Sequence, residues 1–413
     1  MDPIKITATS ITVALISAIQ INEAASETLE LSGFVQAHAV VRTVDVDCPA
    51  GTECDVPFND QRAQIKAEGG NESGSVAYLG KFDLIHNWAL NDIDSEVREL
   101  YVDYHTDDFT VRGGRQVITW GAGDLLFIND VFPKDWVAFY SGQPLEYLKL
   151  GSDAVKLDLF MGSTTLEMVI SDFRADRLPD DRQFIISSPF SASLPRDMEE
   201  PEAPEYALKL SGYLRSWDAA VYASRGYYHA PALMATATVV RGTHPRLNTL
   251  GISLSGPVAS GVLNLETGYY DSEDDGNGAD PTMENSQARL LIGYTRQIGQ
   301  ETQIGIQAYA EWMQDYDAYK HTLPSGYARR DEVRTVATVR FTQYYLHQTL
   351  TVNLFAFLGI SENDSYVIPS VRYAFSDNLW MELGANILNG SRSGMFGTLG
   401  DNDNAYVTMR YAF

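Results

Sequence analysis

The chain is poor in cysteine, poor in positive charge and short of long apolar runs. Cys48 and Cys54 are its only cysteines, too few thiolates for a structural zinc site. Thirty Lys and Arg stand against 55 Asp and Glu, a formal charge of −25. No basic patch breaks that acidity, so a phosphate backbone is repelled and nucleic acid is disfavoured as a partner. Beyond the opening segment no run reaches the ~18 apolar residues of a spanning helix. There is no GxSxG motif, and the seven histidines are scattered without metal-ligand spacing, so nothing points to an enzyme. No repeat of solenoid period occurs either.

What is present begins with MDPIKITATSITVALISAIQINEAAS. Lys5 supplies a weak positive start, Ile6 to Ile21 an apolar stretch, and Ala24 or Ala25 a small residue for cleavage. Residues 1–25 therefore read as a secretory signal and 26–413 as one mature domain. Export favours a local disulfide between Cys48 and Cys54, since Pro and Gly lie between them in DVDCPAGTECD and the chain meets oxidants.

The dominant pattern has a period of two. NAYVTMRYAF ends the chain with Ala405, Val407, Met409, Tyr411 and Phe413 on one face and Tyr406, Thr408 and Arg410 on the other. QARLLIGYT at 287–295, TQIGIQAYAEW at 302–312, VRTVATVRF at 333–341, TVNLFAF at 351–357 and LWMELGANI at 379–387 repeat it. Strands of ~9–11 residues with one apolar face are the signature of a transmembrane β-strand.

About eighteen such strands (16–18) start near 31, 61, 74, 95, 108, 152, 164, 204, 218, 245, 260, 285, 302, 331, 348, 364, 378 and 402. Short linkers (GNESG, HTDD, GST, RSW, GPVAS, IGQE, LHQ, FSDN) alternate with mostly long ones. This predicts an all-β fold, a transmembrane antiparallel β-barrel with short periplasmic turns, long extracellular loops and both termini periplasmic. A sandwich or propeller would alternate too, but without the short and long rhythm.

The signal segment, the strand rhythm and the final Tyr411-x-Phe413 resemble Gram-negative outer-membrane porins over the whole mature chain. Gly114-Arg115-Gln116 followed by Trp120-Gly121 resembles a motif of the alginate-export-like porins. The resemblance implies a passive channel for small solutes among outer-membrane lipid and lipopolysaccharide. It also implies a last strand read by the barrel-assembly machinery, with Val407, Met409, Tyr411 and Phe413 as the signal.

A barrel this wide leaves an aqueous lumen. With the apolar set outward, Lys156, Asp158, Arg289, Glu311, Arg334, Arg340, Arg372, Glu382 and Arg410 point in. The arginines fall at different depths and admit two readings: a ladder easing anionic solutes through, or wall pairing with inward carboxylates. The linker at about 119–150 is too apolar for bulk water. Leu125, Leu126, Phe127, Ile128, Val131, Phe132 and Trp136 would each cost ~1.5–3 kcal/mol if left exposed. Folded into the bore, the loop would form a constriction with Arg115, Trp120, Asp124, Asp130, Lys134, Asp135 and Trp136, the acids and Lys134 facing the lumen. In general porins the loop at this ordinal position folds into the pore, and the resemblance implies the same here. Gly113 and Gly114 would permit the bend that starts it.

The reading needs no cofactor. The acidic stretch 271–286 carries six carboxylates, and its start echoes a calcium loop, but Thr282 replaces the bidentate glutamate; calcium there is the one metal expectation. The function expected is a diffusion channel for small hydrophilic solutes, with a lean toward anionic ones. Its rivals are a transporter or exporter of a hydrophobic or acidic-polymer substrate and a structural barrel holding a partner protein.

Overall fold

The computed structural model describes residues 28–46, 54–179, 183–186, 194–236, 238–324, 329–391 and 394–413. The expected signal segment and Cys48 lie outside the described residues.

Eighteen strands form one antiparallel sheet, each wall strand pairing with the next along the chain. The first, Thr28–Arg42, pairs with the last, Asn404–Ala412, and closes the barrel. Phe413 extends that seam, exchanging two 2.9 Å backbone hydrogen bonds with Gly33. Every wall strand starts within three residues of its expected position. Closure removes the free edges that an open sheet would expose to lipid. The short turns are tight: Ala259 (φ 47°) and Ser260 (φ 64°) are both left-handed, the two-residue geometry that matches strand twist. Two connections at the long-loop end, 88–91 and 360–363, are also short.

The alternation sorts the side chains. Leu250 and Ile252 stand 63% and 48% exposed on the outer face, as do Leu208, Leu210, Leu290 and Ile292. A continuous belt of this kind is costly in water and matches hydrocarbon. Exposed Tyr104, Tyr213, Tyr345, Tyr373 and Tyr411 gather near the short-turn end, and Tyr206, Tyr269 and Trp312 near the other. These are the two girdles that amphipathic rings form at membrane interfaces. Met409 and Phe413 share the outer face with Tyr411.

Two wall positions depart from ordinary strand geometry. Gly114 has φ +127°, and a Cβ there would press on Tyr101 Cα at 2.9 Å, so only glycine fits there. The expected exit does not occur at that point, because the strand runs on through Arg115 and Gln116, paired with Asp153 and Ser152. Pro369 sits within the strand Asp364–Ala374, and the pairing to Leu379–Asn389 skips Ile368 and Pro369, because proline has no N–H to donate. A small three-stranded sheet (Arg196–Met198, Ala232–Ala235, Val240–Thr243) lies in the long connections. Its strands are too short for periodicity to reveal.

Candidate functional site: the loop across the bore

The segment between Gln116 and Ser152 crosses the barrel and touches opposite sides of its wall. Its first stretch packs on the near side. Ile118 and Trp120 are buried with Phe132, Ala154, Val169, Ala207 and Tyr222. Trp120 meets Phe132 edge-on at 5.0 Å and donates from Nε1 to Glu167 at 3.2 Å. The tryptophan therefore packs on the wall beside the loop's start.

The next residues form the tip. Gln307 brackets the backbone of Asp124, its amide donating to the carbonyl at 2.9 Å and accepting from the N–H at 2.8 Å. The Asp124 carboxylate meets Arg340 at 2.8 Å, each side chain about one-third exposed. Burial pushes the Asp124 carboxyl above its ordinary value, with Arg340 opposing. Leu125 follows in a left-handed conformation, φ 59°. It lines two cavities of the bore: one of about 280 Å³ toward the long loops, with Arg289, Arg334, Tyr309 and Trp136 in its wall, and one of about 460 Å³ toward the short turns, with Arg340, Arg372, Glu382 and Tyr406. Leu125 thus lies between the two cavities, beside the Asp124–Arg340 pair.

The stem docks on the far wall. Helix α1, Trp136–Tyr140, is capped by Asp135, whose carboxylate accepts from Ala138 N at 2.8 Å. Phe139 stands edge-on to Tyr366 (5.3 Å) and Phe357 (6.1 Å). The Tyr366 hydroxyl donates to Phe139 O at 3.1 Å, and His38 Nε2 lies 3.0 Å from Ser141 O. Tyr147 is held between the guanidinium groups of Arg62 (4.0 Å) and Arg98 (4.4 Å).

Two expectations about this loop need correction. Asp130, Lys134 and Asp135 do not present open charges to the lumen; each is about 95% buried. Although Asp130 and Lys134 border the loop-end cavity, their charges are met by internal partners. Lys134 donates to the carbonyls of Asp130 (2.9 Å) and Phe132 (2.7 Å), Lys149 pairs with Asp130, and Arg177 pairs with Asp135 at 2.8 Å. Burial raises the Asp135 carboxyl and Arg177 opposes it. A buried charge requires such partners. Trp136 lines the loop-end cavity and donates to Asp176 at 2.9 Å. Arg115 is not at the tip either. It stands opposite Leu100 in the wall and binds Asp153 (2.8 and 2.5 Å) at the loop's root.

Each of the five arginines expected in the lumen has a carboxylate partner. Arg289 lies 3.5 Å from Glu311, Arg334 3.4 Å from Glu362, and Arg372 2.8 Å from Glu382. Arg410 is 2.7 Å from Glu146 of the loop, and Arg340 has Asp124. Lys156 and Asp158 pair at 2.9 Å. The stagger in depth is present, but as compensated pairs rather than free cations.

In the acidic stretch, Arg246 holds Glu273 (2.8 Å) and Asp274 (2.5 Å), and Arg330 holds Glu284 (2.6 Å). Asp275 accepts from the N–H groups of Ala279 and Asp280. No group of three or more metal-ligating side chains is placed to hold an ion among the described residues. The carboxylates expected to bind calcium are instead engaged by neighbouring arginines and backbone.

Sequence reasoning missed Glu266. It is 2% exposed, on the wall strand Gly261–Ser272, and its carboxylate accepts from the tip. The signal was present: it is the lone charge in the middle of GVLNLETGYYDS.

No family model and no curated protein matches the sequence. Solved structures do. Pseudomonas aeruginosa OccK5 (OpdH) superposes with a TM-score of 0.57 at 10% identity, over 93% of this chain and 98% of that one. P. aeruginosa OccD3 (OpdP) gives 0.56 at 8% identity, over 94% and 92%. Acinetobacter baumannii OccAB1 gives 0.54 at 11% identity, over 93% and 96%. The likeness is one of fold.

Proposed function

We propose that this chain is an outer-membrane porin of a Gram-negative bacterium, a passive diffusion channel for small hydrophilic solutes. The observation that carries it is a closed eighteen-stranded barrel with an apolar outer belt, whose polar bore is narrowed by one inserted loop. Such a wall seals against lipid while its lumen admits water and solutes. The narrow point is Asp124, Leu125 and Arg340. Because the lumen arginines, Arg340 included, are neutralised in pairs, we assign the channel weak charge selectivity.

The finer parts of the reading follow from the same membrane placement. The segment 1–25 directs export, Cys48 and Cys54 close a loop under oxidising conditions, and both termini lie on the periplasmic side. The outward row Val407, Met409, Tyr411 and Phe413 serves the assembly machinery, and lipopolysaccharide contacts the loop end. The test is current through the purified protein in planar bilayers. Stepwise ohmic conductance supports a porin. A barrel that carries no current in any salt overturns it and leaves a structural barrel.

A further inference from the structure

The tip of the inserted loop carries a ring of backbone donors, and the wall fills it. Glu266 Oε2 accepts from Ala122 N (3.0 Å) and Gly123 N (2.9 Å). Its Oε1 accepts from Asn129 N and Asn129 Nδ2, both at 2.9 Å. Successive N–H groups turned to one point form a concavity that binds anions, here closed around a carboxylate. Among the described salt bridges Glu266 has none, so its charge is met by these four donors.

The wall is shaped around the same contact. Gly121 takes φ +82°, and a Cβ there would lie 2.7 Å from Glu266 Oε1. Gly268 leaves room for Ile128, whose methyl would stand 2.7 Å from an added Cβ. The Tyr270 hydroxyl donates to Ile128 O at 2.5 Å, and Asn129 reaches the Thr267 carbonyl at 3.3 Å. Glu266, Gly268 and Tyr270 alternate along one strand and present one inward face. That face is a socket for residues 121–129.

We infer that Glu266 is the positioning residue that fixes the eyelet, and that the loop tip is an anion site normally occupied by the protein's own carboxylate. Emptied of that side chain, it takes up a small free carboxylate. Glu266 touches neither cavity's narrow point. It acts through the loop, setting where Asp124 meets Arg340.

The inference rests on the channel reading, and the experiment separates the two. Glu266→Ala removes the equivalent of one acetate from the socket. In planar bilayers this variant is expected to show a several-fold higher and flickering conductance in sodium chloride. Sodium acetate at equal ionic strength should then restore a quieter, lower-conducting state after correction for ion mobility. Glu266→Gln keeps the size and half the acceptors, and is expected to fall between. In the Glu266→Ala background Arg340 loses its Asp124 partner, so the channel should lean further toward anions than the wild type, and Arg340→Glu should reverse that lean. Wild-type protein without current overturns the channel reading. A conducting wild type with Glu266→Ala unchanged, or equal behaviour in acetate and chloride, overturns this one. Should Glu266→Ala fail to assemble, wild-type conductance in Glu266→Gln overturns it as well.

Discussion

Two long loops of this barrel start from the same end and go opposite ways. The one between Gln116 and Ser152 is rich in Leu, Phe and Trp and crosses the bore. The one between Ser272 and Gln287 is acidic and stays at the rim, tied to Arg246 and Arg330. Burying large apolar side chains stabilises the first loop inside the barrel. The second carries carboxylates whose desolvation would cost more than the barrel interior returns. Where a loop goes is decided by the same transfer free energies that place residues in a core. What the loop then does depends on the few polar atoms that fix its position.

The sharpest way to break the contrast is to weaken the inserted loop's apolar grip. Phe139 packs against Tyr366, Phe357 and Trp136. Phe139→Ala is expected to cost about 3–5 kcal/mol of local packing, the range for buried Phe truncations. That cost falls on the loop's docking, since the hydrogen-bonded wall is untouched. Single-channel records should show larger, noisier openings, while strand content by circular dichroism stays the same. A loss of strand content would mean the loop holds the wall together rather than narrowing it.

Arg340→Glu tests the eyelet itself. A unit charge at ~4 Å is worth about 1 kcal/mol even in water, so reversal should shift the permeability ratio several-fold toward cations. Reversal potentials in a salt gradient measure this. The wall arginines provide the contrast: Arg289 is stacked on Tyr270 at 3.7 Å and lines the loop-end cavity, away from the Asp124–Arg340 pair, so Arg289→Gln should move the ratio less. Equal shifts would remove the distinction between eyelet and wall.

Acid should act on the same pair with a definite sign. Burial raises the Asp124 carboxyl above the usual aspartate value of ~3.9, so it takes up its proton at a higher pH than a free aspartate. Protonation leaves Arg340 uncompensated. As the pH falls from about 7 through that raised value, wild-type channels should become more anion-preferring, and Asp124→Asn channels should not follow. A wild type with a flat ratio across this range would show that Asp124 does not titrate at the narrow point.

How much of this was legible beforehand follows from the range of each interaction. Strand positions were readable because alternation and turn chemistry are local. The inward course of residues 117–151 was readable because the loop's own composition forces it. The partners of its charges were not. Asp135 finds Arg177, and Asp130 finds Lys149, through contacts that only the folded path creates. Arg115 looked like a tip residue because it borders the loop, yet its strand runs on past Gly114 and keeps it in the wall. Glu266 was visible as a lone mid-strand charge, but its role needs the loop placed first.

The smallest effect belongs to the rim. Arg246 is half exposed and bridges Glu273 and Asp274, and solvent screening leaves such pairs little net effect. Arg246→Ala should change neither the denaturation midpoint nor the conductance beyond error at physiological salt. If it did change conductance, the acidic loop would have to reach over the bore. The division between a loop that narrows the channel and a loop that only borders it would then fail, because the rim would be setting the ion concentration at the mouth.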